Sequence, residues 1–279
     1  MCRAVLVALV LAVANAAPQA AAQSAASLPC AFETGPTRAV ASIVDGDTVR
    51  FDDRVEARLL GVLAPRASDG AADGQPWPPA REAEAALRGL IGGQSVALAF
   101  AGPRADRYQR VLAHLFLGEG DQQVWVQGRL VELGHARVAA LPGSDTCIRE
   151  LLVRERRARQ AGLGLWSHAA YQIRPADRPT ELGRYRFTYQ LVRGRVERAR
   201  QGRGLAILEL ANGERPAADE GRSQWGAFRV IWRPRVAGGA GLDRATSFKG
   251  RNVLVRGWVG AHFGPEIEIL TAGQLELED

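Results

Sequence analysis

Carboxylate and guanidinium side chains are concentrated in one short stretch, VDGDTVRFDDRVEARLLGVLAPR, residues 44–66. Asp45 and Asp47 flank a glycine, and carboxylate oxygens are ligands that calcium prefers in proteins. Arg58 and Arg66 follow, and a guanidinium binds a phosphate through two parallel hydrogen bonds. These residue types are suited to a phosphodiester, with carboxylates for a metal ion and arginines for the phosphate charge.

A second arginine-rich segment, DRYQR at residues 106–110, lies further along the chain. Arg107 and Arg110 flank Tyr108, so the segment combines phosphate-binding donors with an aromatic ring. Cleavage of a phosphodiester requires stabilisation of the transition-state charge, a positioned water and a base that accepts its proton. Arginines meet only the first requirement, because a guanidinium with a pKa above about 12 accepts no proton at physiological pH.

Hydrophobic periodicity predicts the elements that position these side chains. Apolar and polar residues alternate on both sides of Asp45-Gly46, a dipeptide typical of a tight hairpin turn, and they predict three short antiparallel strands. Later segments predict a helix over 80–93, strands over 94–100 and 111–117, a helix within 124–138 stopped by Gly134, and a third helix over 147–160. The prediction is a mainly β fold with α elements, in which a small five-stranded barrel carries three helices.

The second half of the chain has a different pattern. Residues 169–188 are irregular and predict a linker between a first domain, 38–168, and a second domain, 189–279. The second domain shows strand patterns at 194–199, 204–211, 228–232, 253–259 and 266–270, with an insertion at 242–250 between the third and fourth. Five strands with that insertion predict a second barrel of the oligonucleotide-binding (OB) type.

The overall charge favours an anionic partner. The chain has 279 residues, a net charge of +6 and a sequence pI near 9.9, and Lys249 is its only lysine. A basic surface attracts nucleic acid and other polyanions, although the charge can also serve solubility alone. We expect nucleic acid or another phosphate-rich polyanion as partner, with the oligomeric state left open.

The first residues have the composition of an export signal. A short basic start with Arg3 precedes an apolar run from Ala4 to about Ala14, and small residues follow near Ala17 and Ala22. This is the pattern of a secretory signal peptide, which we place at residues 1–22. The apolar run is too short for a stable membrane span, so the expected location is periplasmic or secreted.

Cysteine usage is consistent with export. Cys2 would leave with the signal peptide, so the mature chain would keep only Cys30 and Cys147. Two cysteines in an oxidising compartment predict one disulfide, and the alternative is two unrelated thiols.

Residues 40–166 resemble the thermonuclease family, the calcium-dependent phosphodiesterases named after staphylococcal nuclease. The resemblance is carried in order by VDGDTV, ARLLGV with the following AP, DRYQRVLAHLF, LVELGHARV and the closing GLW. It implies that Arg58 and Arg110 are the two phosphate-binding arginines and that Asp47 is the first metal-binding aspartate. Asp45 and Thr48 match that aspartate's neighbours, and Tyr108, with Arg107 beside it, matches an aromatic group that contacts the nucleotide.

The chain departs from the family pattern immediately after the third strand. The family has close to Gly-Ile-Asp-Ala-Pro-Glu there, whereas this chain has Gly-Val-Leu-Ala-Pro-Arg at 61–66. By this resemblance Leu63 replaces the second metal-binding aspartate, and Arg66 replaces the glutamate that acts as general base. Leu63 offers no side-chain oxygen, so the metal and base requirements both fail at once.

Two functional hypotheses from different classes follow. In the first, the protein binds a polyanion through a pocket lined by Arg58, Arg66 and Arg110 and needs no cofactor. In the second, it is a calcium-dependent nuclease that uses displaced carboxylates, for which the candidates are Glu56, Asp69 and Asp73. A third reading is a dead site in which Arg66 pairs with Asp47, since unpaired buried charges are avoided.

Overall fold

A computed structural model gives the architecture of the chain. It describes residues 30–69, 77–140, 142, 145–202, 204–211, 226–233, 242–260, 262 and 264–278. The predicted signal peptide and Asp73 lie outside these described residues. Within them, no helix has the length and apolar character needed to cross a bilayer.

The first half forms a closed five-stranded barrel, as predicted. Its strands and the short strands around it are β1 Glu33–Asp45, β2 Thr48–Phe51, β3 Glu56–Leu59, β4 Val62–Leu63, β5 Ser95–Phe100, β6 Val111–Leu117, β7 Val124–Trp125 and β8 Arg137–Val138. The barrel order is β1-β2-β3-β6-β5 and back to β1, and only the β3–β6 pair is parallel. Inward-facing apolar side chains, among them Val49, Leu98 and Leu115, fill its interior.

Three helices pack on this barrel, as predicted: α1 Pro78–Ile91, α2 Val126–Glu132 and α3 Ile148–Gln160. Helix α1 buries Ala83, Leu87 and Ile91, which share one face at helical spacing, and it ends at Gly92. The predicted start of α2 was two residues too early, and the helix ends at Glu132, just before the predicted stop at Gly134. Residues 124–125 instead pair with β6 as β7, and residues 137–138 pair with β4 as β8, because those backbone groups find sheet partners.

A disulfide joins the two ends of this half. Cys30 and Cys147 are bonded with their Cα atoms 5.3 Å apart, across a sequence separation of 117 residues. Cys147 immediately precedes α3, so the bond attaches the start of the described chain to the first turn of that helix.

The segment predicted as an irregular linker contains ordered elements. They are β9 Arg174–Pro175, which pairs in parallel with the first strand of the second barrel, and the short helix α4 Pro179–Leu182. Tyr171, Ala176 and Leu182 are buried within it. The segment is therefore packed between the two halves, because its apolar side chains, spaced too irregularly to predict an element, still find a core.

The second half is also a closed five-stranded barrel, as predicted. Its strands are β10 Tyr189–Gly202, β11 Leu205–Ala211, β12 Phe228–Trp232, β13 Asn252–Gly260 and β14 Glu266–Ile269, with β15 Leu275–Glu278 added along β13. The order is β10-β11-β12-β14-β13 and back to β10, and only the β12–β14 pair is parallel. Sequence patterns did not predict β15, although its Leu-Glu-Leu-Glu alternation has the period of a strand.

The two barrels share one topology. In each, the first strand pairs with the second and fourth, and the third and fifth are parallel. Helix α1 precedes the fourth strand of the first barrel, and a 3-10 helix, Leu242–Phe248, precedes the fourth strand of the second. Both barrels therefore have OB-type strand order.

A buried polar interface connects the barrels. Arg256 of β13 is fully buried and donates from Nη1 to Glu155 of α3 at 2.6 Å, and it also pairs with Glu276. Arg137 of β8 donates to the Tyr189 carbonyl at 2.7 Å, and the Tyr189 hydroxyl donates to the Val138 carbonyl at 3.0 Å. Because these charges are removed from water, their pairing requires the two barrels to stay together.

Candidate functional site

The acidic turn between β1 and β2 forms the floor of the site. Gly46 is required there because a Cβ at this position would lie 2.7 Å from the Cβ atoms of both Ala64 and Ala83. The Asp47 amide donates to Asp45 Oδ1 at 2.9 Å, which closes the turn. This packing directs the fully buried Asp47 carboxylate toward β3 and the loop after β4.

Asp47 is the central acceptor of the site. Arg58 lies opposite Thr48 in the β2–β3 register, and its Nη1 and Nη2 donate to the two Asp47 oxygens at 2.6 and 3.2 Å. The Ala64 amide donates to Asp47 Oδ2 at 2.8 Å, and the Thr48 hydroxyl donates to Oδ1 at 3.3 Å. Burial raises the pKa of Asp47 to about 6, and the Arg58 charge opposes that rise.

Arg66 lies on the same carboxylates. Its Nη2 donates to Asp47 Oδ1 at 3.2 Å and its Nη1 donates to Asp45 Oδ2 at 3.3 Å. Burial alone would raise the pKa of Asp45, but hydrogen bonds from Asp47 and the Arg66 charge hold it below its usual value. The contact between Arg66 and Asp47 is the one foreseen in the third reading of the sequence, although the Arg66 side chain remains 35% exposed.

A tight loop before β6 supplies the second group of arginines. Asp106 Oδ1 accepts from the amides of Tyr108 and Arg110 at 2.8 and 3.0 Å. Asp106 Oδ2 accepts from Arg110 Nε at 2.8 Å, and Gln109 adopts a left-handed backbone with φ 64°. Asp106 thus positions Arg110. Sequence reasoning missed this role, although an aspartate that can accept from the backbone amide two residues further on is a local signal of a turn.

Tyr108 forms the outer edge of this loop. Its ring is 64% exposed, and Arg107 donates to its hydroxyl at 2.7 Å. The Cζ atoms of Arg107 and Arg110 lie 4.8 and 5.5 Å from the ring centroid, in the range of cation–π contacts. The ring and two guanidinium groups therefore form one exposed cluster.

The two groups of arginines line a single cavity of about 630 Å³. Its walls are Glu56, Arg58, Leu63, Arg66, Arg107, Tyr108, Arg110 and Trp258. The four arginines singled out from sequence are thus brought together, whereas Asp45, Asp47 and Thr48 lie behind them. Trp258 comes from the second barrel, and no sequence signal points to it because its place depends on how the barrels pack.

The cavity has a small positive excess. Its four guanidinium groups are accompanied by three carboxylates that contact them, those of Asp45, Asp47 and Asp106. Glu56, on the wall, pairs with Arg50 at 2.6 Å. An anion entering the cavity would therefore meet a net positive charge without any metal ion.

The residues at the acidic turn do not fit the calcium ion that the family resemblance implies. Calcium takes six to eight oxygen ligands, typically with more than one carboxylate. Here the oxygens of Asp47 already accept from two guanidinium groups and a backbone amide, and Leu63 offers none. Among the residues that the structure describes, no cluster of three His, Cys, Asp or Glu side chains has a metal-binding arrangement.

The displaced carboxylates have other partners. Asp69 accepts from the Arg66 amide at 3.1 Å and from the Tyr171 hydroxyl at 3.3 Å, so it caps the loop and contacts the segment between the barrels. Glu56 faces the cavity but pairs with the exposed Arg50. Neither contributes an oxygen to the acidic turn.

Comparison with known proteins agrees with this geometry. The family model described as staphylococcal nuclease homologue matches residues 56–168. The match contains the four cavity arginines and Tyr108, and it begins after the acidic turn of Asp45 and Asp47. A search of curated proteins found no match to the chain. The fold and the order of the motifs agree with this match, and residues 56–168 are therefore similar to the staphylococcal nuclease homologue family.

Proposed function

We propose that this protein is exported and binds nucleic acid or another phosphate-rich polyanion in the arginine cavity, without a cofactor and without efficient cleavage. The observation that supports this most directly is the position of Arg66. Its guanidinium contacts both Asp45 and Asp47, and a positive charge there opposes binding of a cation. The same positive charge favours binding of a phosphate, even when no metal ion is bound.

The paired arginines keep donors for a ligand. A guanidinium has five N–H groups, and the bonds to Asp47 and to Asp106 use two donors each from Arg58 and Arg110. Both side chains are partly exposed, at 15% and 24%. The carboxylates therefore hold the arginines in place while other donors face the cavity, an arrangement that lowers the ordering cost of binding a phosphate.

Binding to a single-stranded oligothymidylate tests this proposal. Affinity should fall steeply with salt because phosphate contacts release counterions, and calcium should have no effect beyond ionic strength. Arg58→Gln and Arg110→Gln should each weaken binding about tenfold and reduce the salt slope by about one. Arg129→Gln, at an exposed arginine of α2 paired with Glu132, is the charge-matched control and should bind like the wild type. Undetectable wild-type binding at low salt, or equal losses in all three variants, would contradict the proposal.

Acidity should strengthen binding through Asp47. Its pKa of about 6 means that the carboxylate is charged above that pH, where its negative charge offsets part of the positive charge that attracts a phosphate, and that it is neutral below. Affinity for oligothymidylate should therefore rise about 3- to 10-fold from about pH 8 to about pH 5, a range in which neither thymine nor the phosphodiester titrates.

The matched control is Asp47→Asn, which removes the charge and keeps the shape. It should bind tightly throughout the range and lose most of the pH dependence. An unchanged pH profile in this variant would assign the effect to other groups, and weaker wild-type binding at low pH would show that the Asp47 charge does not oppose the ligand.

The runner-up is a calcium-dependent phosphodiesterase with a displaced carboxylate. Glu56 is its best candidate, because this residue lies on the cavity wall beside Arg58. Calcium-dependent digestion by the wild type that Glu56→Gln abolishes would favour that enzyme over the binding protein.

A further inference from the structure

We infer that the second barrel takes part in the same binding event, with Trp258 and Phe187 stacking on the bases of a single-stranded nucleic acid that extends from the arginine cavity. The inference builds on the proposed function and specifies its ligand. Trp258 is 57% exposed and lies on the wall of two cavities, the arginine cavity and a second one of about 420 Å³. A ligand that contacts both the arginines and this ring therefore spans the two barrels.

The position of Trp258 is fixed relative to the arginines. It lies opposite Tyr189 in the β10–β13 register, and the two rings meet edge to face with centroids 5.9 Å apart. Two hydrogen bonds in turn hold Tyr189 on the first barrel. The Tyr189 hydroxyl donates to the Val138 carbonyl, and Arg137 donates to the Tyr189 carbonyl. The indole therefore packs against a side chain that the first barrel holds, and this contact favours a preorganised stacking surface.

Phe187 provides a second exposed ring on the same side. It lines the second cavity with Trp258 and is 77% exposed, the highest value among the large exposed apolar side chains of the described residues. Its backbone is left-handed, with φ 64°, and its amide donates a hydrogen bond to the Val259 carbonyl at 2.8 Å. A strained backbone that presents an aromatic ring to solvent is stabilised only by its surroundings, which is common at binding sites.

The charges around this second cavity do not oppose a phosphate chain. Glu266 pairs with Arg229 at 2.6 Å, and Glu268 pairs with Arg233 at 2.8 Å. Both carboxylates are therefore balanced by arginines. The cavity combines neutralised walls with aromatic faces, which suits a base better than it suits a bare phosphate.

These features select single strands over other polyanions. Inorganic polyphosphate has no π face to place on Trp258, and a duplex keeps its bases stacked inside the helix. Single-stranded nucleic acid has both a phosphate chain for the arginines and bases that are free to stack, and stacking on aromatic side chains tolerates any base sequence. The aromatic rings on the second barrel would therefore add affinity without adding sequence specificity.

The test compares two probes of equal length and charge, an oligothymidylate and the same oligonucleotide with abasic sugars. The wild type should bind oligothymidylate at least about tenfold more tightly. Trp258→Ala should lose about tenfold in affinity for oligothymidylate and little in affinity for the abasic probe. Phe187→Ala should show the same loss of preference for oligothymidylate. Trp258→Phe should retain most of the wild-type preference. Leu277→Ala, at an exposed apolar residue of β15 that lines neither cavity, is the matched control.

The outcomes separate this inference from the proposed function. If the wild type binds both probes equally, and if Arg58→Gln weakens binding whereas Trp258→Ala and Phe187→Ala do not, the arginine cavity binds phosphate and the stacking inference is wrong. If inorganic polyphosphate competes as strongly as oligothymidylate and Trp258→Ala has no effect, the same conclusion follows. If the wild type binds neither probe, the proposed function itself fails.

Discussion

The double variant Leu63→Asp with Arg66→Glu is expected to cleave single-stranded DNA in the presence of calcium, whereas the wild type should leave it intact. The two changes return carboxylates beside Asp47 and remove the guanidinium that contacts it, while Arg58 and Arg110 stay in place for the phosphate. Groups that act as a unit contribute non-additively, so the double variant should exceed either single variant by at least about 100-fold.

The structure also indicates how the double variant must be controlled. Leu63 is 6% exposed and packs with Leu165, Trp166 and Tyr171, so an aspartate there introduces a carboxylate into an apolar cluster. The variant should therefore melt at a lower temperature with chelator and regain stability with calcium, since a ligand that binds the folded state stabilises it. Adding Arg58→Gln should abolish the new activity. Robust calcium-dependent cleavage by the wild type would contradict the proposal, and a folded double variant that neither binds calcium nor cleaves would place Leu63 and Arg66 outside a restorable site.

Replacing Arg256 by methionine should be among the most destabilising changes in the chain, with a loss of about 3–5 kcal/mol in the free energy of unfolding. The reason is the fully buried Glu155, whose Oε2 accepts from Arg256 and whose Oε1 accepts from the Val138 amide at 2.8 Å. Burial disfavours the charged guanidinium, but Glu155 and Glu276 outweigh burial and raise the pKa of Arg256. Removing the arginine leaves a buried carboxylate charge without its strongest partner.

Urea denaturation measures this effect, with Arg256→Met, Glu155→Gln and the double variant forming a cycle. The double variant should be more stable than the sum of the single losses implies, because removing both charges leaves neither unpaired. Arg200→Met, at a 65% exposed arginine paired with Glu209, should change stability by less than about 1 kcal/mol. Losses of similar size at Arg200 and Arg256 would show that burial does not control the value of the pair.

Local patterns predicted much of the fold because each barrel is built from short-range signals. The alternation around Asp45-Gly46 and the apolar face of α1 each encode one element, and five such strands in order leave few closed topologies. The two-residue strands β7 and β8 could not be predicted, since so short a strand is recognised only by the strand with which it pairs. The packed state of residues 169–188 was missed for the same reason, because the core that buries Tyr171 and Leu182 is formed by distant residues.

The site was predictable only where its residues are neighbours along the chain or match a known motif. The pairing of Arg58 with Asp47 follows from the β2–β3 register, and the approach of Arg66 to Asp45 follows from the loop that closes over it. Asp106 escaped notice because its role is to position Arg110 rather than to contact a ligand. Trp258 could not be found, since it reaches the cavity through an interface between two barrels that no periodicity encodes.

The disulfide has a consequence for how this protein would withstand proteases. The bond between Cys30 and Cys147 encloses the turn of Asp45 and Asp47, both groups of cavity arginines and helix α1 in one covalent ring. A single cut anywhere within that ring leaves the two fragments attached to each other, so one break in a loop does not release any part of the cavity. Damage to the first barrel would become visible only after reduction, whereas a cut between the barrels would separate them unless their buried ion pairs held them together.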